Sequence, residues 1–444
     1  MNSEHILQLL HQEVIPAIGC TEPIAVALCV ARATELLGAE PDHITVHLSK
    51  NIYKNAMAVG IPNTGMTGLP IAIALGATVG KSEYKLEVLR DATPDAVAYA
   101  RAYMERVPAD IQVDADAPDV LYIRAEVSKD GTTAHATIQG DHTRFIEDTA
   151  DSTTPKKTAT DTATTPSLRG MGGVSMEGES LTLRTVYDYA TTTPLDSVRF
   201  LFEGAEMNIR AAKISFNGNY GHGLGKLLQT QRKRKCMPAC RNLLPSIFGN
   251  TLYAKILSYT GGACDARMSG AMVPVMSNSG SGNQGISCSV PVYIYAKENN
   301  CSEEQTLRAL TLSNLTVIYI KQSLGRLSAL CGCVVAATGS AAGITYLMGG
   351  NYTEITYAVK NMIANISGMI CDGAKPGCTL KVASGVSTAI LSAALAMQHS
   401  YADATEGIVE DDIDRTIRNL TRIGREGMTQ TDDLILDIML HKKQ

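Results

Sequence analysis

The sequence predicts an α+β protein: a mainly helical body with an inserted α/β unit containing a largely antiparallel sheet. Apolar residues recur at helical spacing near the N-terminus and again from about Leu181 onward, with Gly-rich turns between the later helices. Between these regions, residues 43–49, 120–127 and 134–138 alternate as half-buried strands do. No repeat of solenoid length runs through the chain.

In order, residues 4–15 set Ile6, Leu9, Leu10 and Val14 on one helical face. Pro16 and the segment 19–23 interrupt that helix, and a second runs over about 24–37 with Gly38 as its C-cap. The first strand follows at 43–49. Residues 51–68, with Lys54, Asn55, Gly60, Pro62, Asn63, Thr64 and Gly65, read as a loop after it. A helical pattern occupies 94–106, and Lys129-Asp130-Gly131-Thr132 reads as a hairpin turn between the two later strands. Residues 148–166, rich in Thr, Asp, Ser, Ala and Pro, read as an exposed loop. The expected division is therefore 1–41 as N-terminal helices of the body, 42–180 as the insert, and 181–444 as the main helical domain.

A chain of 444 residues has room for roughly two or three domains and a substantial core. With 45% hydrophobic and 19% charged residues it has the balance of a soluble globular protein. A net charge of −5 gives no global attraction to nucleic acid or anionic membranes, and aromatics at 5% with no Trp provide few stacking platforms. The basic run 231–235 lacks aromatic neighbours and reads as a solvated face. Pro238, between Cys236 and Cys240, argues against a helical ligand pair there. The uncharged stretches 327–353 and 382–399 are interrupted by Ser, Thr and Gly, so they read as buried core helices. The N-terminus lacks the basic and apolar regions of a signal peptide, and eleven cysteines are too sparse here for a disulfide framework. A cytoplasmic location with free or metal-bound thiols is expected, with neither nucleic acid nor membrane as partner.

Four cysteines, Cys331, Cys333, Cys371 and Cys378, crowd into 48 residues. Thiolates are soft ligands that suit zinc or iron–sulfur clusters, although cysteine also packs as a small hydrophobe. Cys20, in Gly19-Cys20-Thr21-Glu22-Pro23, stands at the mouth of a helix. Free N–H groups and the helix dipole stabilise a thiolate there, fit to act as nucleophile or general base; the plainer reading is a buried cysteine at a turn. Cys29, on an apolar helix face, reads as core. The segment Ser277-Asn278-Ser279-Gly280-Ser281-Gly282-Asn283-Gln284-Gly285 packs hydroxyls and amides among glycines and can present N–H groups to a carboxylate or phosphate. It lacks the GK[ST] ending of a phosphate loop. Lys54 and Asn55 could likewise face an anion, or simply belong to a solvated loop. The histidines are scattered singly, and His222 in a Gly-rich turn is as readily surface as site. No nucleophile elbow, dinucleotide fingerprint or kinase signature occurs, and no setting singles out a lysine for a pyridoxal Schiff base.

These segments resemble the L-cysteine desulfidase family, related to the α-chain of iron–sulfur L-serine dehydratases. The matching stretches are the Cys20 segment, Asp265-Ala266-Arg267-Met268-Ser269-Gly270, residues 274–285, residues 325–333 and residues 371–378, so the resemblance spans nearly the whole chain. It implies a [4Fe–4S] cluster on three cysteines: Cys371, Cys378 and either Cys331 or Cys333, with Cys331 favoured. Related dehydratases can close the cluster with a terminal cysteine; this chain ends His441-Lys442-Lys443-Gln444, so an open iron is expected. The implied reaction is pyridoxal-independent β-elimination of L-cysteine to sulfide, ammonia and pyruvate. The open iron would act as Lewis acid on the leaving sulfur, Cys20 would remove the α-proton, and Ser277, Asn278, Ser279, Ser281 and Asn283, with Asn55, would hold the substrate. L-serine dehydratase is the nearest alternative, and a non-enzymatic iron–sulfur redox or cysteine sensor is another. A homodimer is the base expectation for the assembly. The segments 148–166 and 232–240 look like departures from the family pattern.

Overall fold

A computed structural model describes residues 2–151, 181–233, 248–325 and 327–442. The chain forms two compact units, one of Met1–Cys20 with Glu177–Gln444, the other Thr21–Met176. The expected boundary at 41/42 thus lies at 20/21. The physical reason is helix α2 (Thr21–Leu37), which is buried nearly all round from Thr21 to Ala31 and packs on the sheet of the second unit.

The five-stranded sheet of that unit has the order β3-β2-β4-β5-β6, with β2 His43–Ser49, β3 Asp110–Asp114, β4 Tyr122–Lys129, β5 Thr132–Gln139 and β6 Phe145–Asp151. Only β2 and β3 pair in parallel, so the sheet is largely antiparallel as the alternation predicts. Ile44, Val46, Leu48, Ile123, Ala125, Val127, Ala134, Ala136 and Ile138 are buried apolar positions of its strands. Cys29 of α2 donates to the Ala136 carbonyl at 3.2 Å, and burial pushes its thiol up to about 12. It is a core residue. The β4–β5 turn has positive φ at both Asp130 and Gly131, as a tight hairpin requires.

Two loop readings change, and one strand had no reading. Residues 51–68 begin inside the short helix α3 (Lys50–Ala56), which buries Lys54 and Asn55 although a polar stretch carries little helical signal. The strand Asp110–Asp114 was not read from the sequence, because charged and amide residues occupy one of its faces. Strand β6 takes the first residues of the segment 148–166; the rest of that segment lies outside the described residues. Of the basic stretch 232–240, the first two residues end the helix Leu224–Lys233 and the remainder is likewise outside them.

In the helical unit, Leu252–Met268 (α4), Gly282–Glu298 (α5), Glu303–Leu324 (α6), Gly332–Leu347 (α7) and Cys378–Ala396 (α8) surround the part of interest. Small residues let these helices approach closely: a Cβ at Gly339 of α7 would lie 2.4 Å from the Ser313 carbonyl oxygen of α6. Helix α8 is long and apolar enough, by length and composition, to cross a membrane; its Val382, Val386, Ala389 and Ala393 are buried against neighbouring helices.

Pro291 sits inside α5 and removes the N–H that would bond the Ser287 carbonyl. Ser340 of α7 replaces that donor, its hydroxyl meeting the Ser287 carbonyl at 2.6 Å. Ser340→Ala should therefore lower unfolding stability by about 1–3 kcal/mol, the cost of an unsatisfied buried acceptor. An unchanged denaturation midpoint would sink this assignment.

Candidate active site

The Cys20 segment is fixed by a clasp. Strand β1 (Pro16–Ile18) pairs antiparallel with β7 (Pro274–Met276) in the helical unit. Just beyond it, Ser277 donates to the Ile15 carbonyl from its backbone N (2.9 Å) and its hydroxyl (2.6 Å), and the Ser279 N–H reaches the Glu13 carbonyl at 3.0 Å. Asn278 and Ser281 exchange backbone hydrogen bonds, both 3.1 Å, around Ser279, whose φ is +49°. The Asn278 amide donates to Asn314 at 2.9 Å, and the Ser279 hydroxyl donates to Asn278 at 2.8 Å. Ser277, Asn278 and Ser279, expected to hold substrate, thus spend these groups on the fold. Their position aims the chain that carries Cys20.

What remains of the segment lies at the start of α5. Ser281 is its half-buried N-cap residue and makes no side-chain capping bond. Asn283, buried in the first turn, donates to the Met268 sulfur at 3.0 Å and accepts from the Cys264 thiol at 3.5 Å. The next residue, Gln284, has a buried Oε1 without a partner. Gln284 also lies against the start of α7, within 3.1 Å of where a Cβ on Gly332 would stand.

Arg267, in the last turn of α4, ties these parts together. It is only 2% exposed, and its Nε donates to the Gly19 carbonyl at 3.1 Å, one residue before Cys20. Gly282 leaves room for it, since a Cβ there would fall 2.3 Å from Nε. Nη1 meets the Met268 sulfur at 3.4 Å, and the buried Nη2 has no partner.

On the same helix, Asp265 accepts from the Gly225 N–H at 3.1 Å through Oδ2, while its buried Oδ1 is unpartnered. Burial raises its carboxyl above the usual carboxylate range, only partly offset by Gly225, Thr379 and His222. A carboxyl whose folded pKa exceeds the unfolded value of about 3.9 costs stability as pH rises between the two. Asp265→Asn removes that cost and keeps an acceptor for Gly225. Its gain in melting temperature over the parent should grow from pH 4 to pH 7; a flat or shrinking gain would contradict the assignment. The sequence reading did not single out Asp265, Arg267 or Gln284 as site residues. The signal was present: Asp265 and Arg267 are the two charges inside the otherwise uncharged run 256–268, and buried charges need a purpose.

The late cysteines are organised by an isolated bridge between Leu330 and Ile370. The Cys331 N–H donates to the Met369 carbonyl at 2.9 Å and the Cys371 N–H to the Ala329 carbonyl at 2.6 Å, so both thiols flank one bridge. Cys331 is the N-cap residue of α7, and Cys378 is the first residue of α8, two positive helix ends. A hydrogen bond from Cys333 lowers the Cys331 thiol to about 7, with Lys381 assisting, and the same bond raises Cys333. Burial raises Cys378 and Cys264. Against its own burial, hydrogen bonds from Lys375 and Lys381 hold Asp372 down at about 2, cross-bracing the segment between Cys371 and Cys378. Gln284, at the start of α5, lies against Gly332 between Cys331 and Cys333 and so joins this neighbourhood to Asn283.

Among the described residues, no group of three or more His, Cys, Asp or Glu side chains is already gathered as a metal site. The donor set nevertheless fits an iron–sulfur cluster in kind: soft thiols on a braced bridge and at two helix N-termini, one of them poised as thiolate near neutral pH.

Asn55 belongs to the other unit. Its amide nitrogen donates to Glu22 at 3.1 Å, Thr21 donates to the same carboxylate at 3.0 Å, and Asn55 Oδ1 is buried without a partner. His222 is exposed on its turn.

A family model described as serine dehydratase alpha chain matches residues 83–437. This span includes Asp265, Arg267 and the late cysteines, while Cys20 and Asn55 precede it. Full-length similarity covers those too. A UPF0597 protein of Phocaeicola vulgatus is 57% identical over 441 residues, 99% of this chain and 98% of the relative. A UPF0597 protein of Bacteroides fragilis is 56% identical over 441 residues with the same coverage. One from Oleidesulfovibrio alaskensis is 42% identical over 437 residues, 98% of each chain. With the bridged cysteines and the clasped Cys20 segment in one compact unit, and four-fifths of its length matched by the family model, the chain belongs to the serine dehydratase alpha chain family.

Proposed function

We propose that this protein is an iron–sulfur-dependent lyase that eliminates sulfide from L-cysteine, yielding ammonia and pyruvate. Membership in a dehydratase family supports a lyase. The observation that carries the reading is the tether between the Cys20 segment and the cysteine neighbourhood, running from the Gly19 carbonyl through Arg267 and Gly282 to Gln284, which lies against Gly332 between Cys331 and Cys333.

Cys331, Cys371 and Cys378 would hold the cluster; when bound, it supplies a Lewis acid for the leaving group. Cys20, as thiolate, takes the α-proton. The electron pair left on Cα forms the Cα–Cβ double bond as the Cβ–S bond breaks and sulfide departs. The aminoacrylate so formed takes up water to give pyruvate and ammonia. The clasp of Ser277, Asn278 and Ser279 keeps the base in place, which is where positional precision contributes to rate.

The family's description favours a second reading, the same elimination on L-serine with hydroxide leaving. Anaerobic purification, iron and acid-labile sulfide analysis, and parallel pyruvate assays on both amino acids test the proposal. About four irons per chain with pyruvate and sulfide from L-cysteine is expected. Pyruvate from L-serine alone would shift the assignment to the second reading. A loaded protein that binds L-cysteine without turnover would instead point to a sensor.

A further inference from the structure

We infer that Arg267 is the receptor for the α-carboxylate of the substrate, a role that rests on the amino-acid elimination proposed above. An arginine 2% exposed is a charge removed from water, and an unpaired buried charge is strongly destabilising. Among the described residues it has no carboxylate partner. Its hydrogen bonds reach one carbonyl, Gly19, and one thioether, Met268, a weak acceptor. Its place in the last turn of α4 offsets part of the charge through the helix dipole. That leaves Nη2 without any acceptor and Nη1 with only a thioether, so the edge they form keeps donor capacity for a stronger acceptor. A carboxylate fits such an edge with two parallel hydrogen bonds.

The surroundings agree with an anion there. Nε is anchored to the carbonyl of the residue before Cys20, which places the guanidinium beside the segment that carries the base. Gly282, the first residue of the 17-residue helix α5, lies against the guanidinium and adds a positive helix end. The duty expected of Ser277, Asn278 and Ser279 passes to Arg267, because those residues are engaged in the clasp.

The test compares the loaded wild-type enzyme with Arg267→Met and Arg267→Lys, each checked for iron content and melting temperature. Pyruvate, which keeps the carboxylate but cannot react, is titrated by calorimetry. Arg267→Met should weaken its binding by roughly 100-fold, and Arg267→Lys by roughly 10-fold because it retains charge but loses the fork. The wild type should strongly prefer L-cysteine to L-cysteine methyl ester, and Arg267→Met should lose that preference. Undiminished pyruvate binding or a retained preference in Arg267→Met overturns the inference. If Arg267→Met does not fold, undiminished binding in Arg267→Lys overturns it. Active wild type with indifferent variants defeats this inference alone. Wild type that neither turns over L-cysteine or L-serine nor binds pyruvate defeats the proposed function with it.

Discussion

Cys20→Ala is expected to reduce pyruvate formation from L-cysteine roughly 1,000-fold, the range typical of losing a positioned general base, while leaving iron and sulfide content at the wild-type level. The structure makes this a clean substitution. The residue is 2% exposed, and alanine fits where cysteine stood. Three sets of contacts hold the segment through its backbone: Arg267 on the Gly19 carbonyl, Ser277 on the Ile15 carbonyl, and the β1–β7 pairing. All of them survive the change. A lost rate with unchanged iron content and melting temperature therefore reads on the thiol and not on a displaced loop. An alanine variant with full activity would remove Cys20 from the chemistry and leave it as a packed cysteine beside a turn. The same experiment separates an enzyme from a sensor, because a protein that only binds cysteine near its cluster has no rate to lose.

The second large effect concerns the cluster. Cys371→Ala, Cys378→Ala and Cys331→Ala should each abolish activity and lower iron per chain after anaerobic reconstitution. Cys333→Ala should retain iron, although it removes the donor that lowers the Cys331 thiol. The contrast follows from the bridge between Leu330 and Ile370, which sets Cys331 and Cys371 on its two sides, and from the helix ends that carry Cys331 and Cys378. Iron held at wild-type level in Cys378→Ala would mean that these thiols are structural. Loss of iron in Cys333→Ala with retention in Cys331→Ala would exchange the two ligand assignments.

Much of the fold is legible locally. Period-two alternation marks His43–Ser49, and Asp130-Gly131 marks the hairpin between β4 and β5. Pro94–Arg106 begins with proline at a position where a helix tolerates it and keeps an apolar face. Helix α2 was legible as a helix but not as a member of the insert. Periodicity reports that a face is buried, not which partner buries it. Lys50–Ala56 went unread because a short polar helix has no apolar stripe to declare it.

The candidate site divides the same way. Short-range features of the sequence determined the helices and central strands, the crowding of Cys331, Cys333, Cys371 and Cys378, and the singular setting of Cys20. Tertiary structure decided which polar groups remain available. The Ser277 hydroxyl is engaged by a carbonyl 262 residues away, and Arg267 by one 248 residues away. Nothing in the local pattern distinguishes a serine that closes a clasp from one that meets a ligand, or a surface arginine from one buried with a nitrogen unpaired. Hydrogen-bond satisfaction depends on the partners that folding brings together, so the roles of Ser277 and Arg267 could be read only after the chain had closed around them.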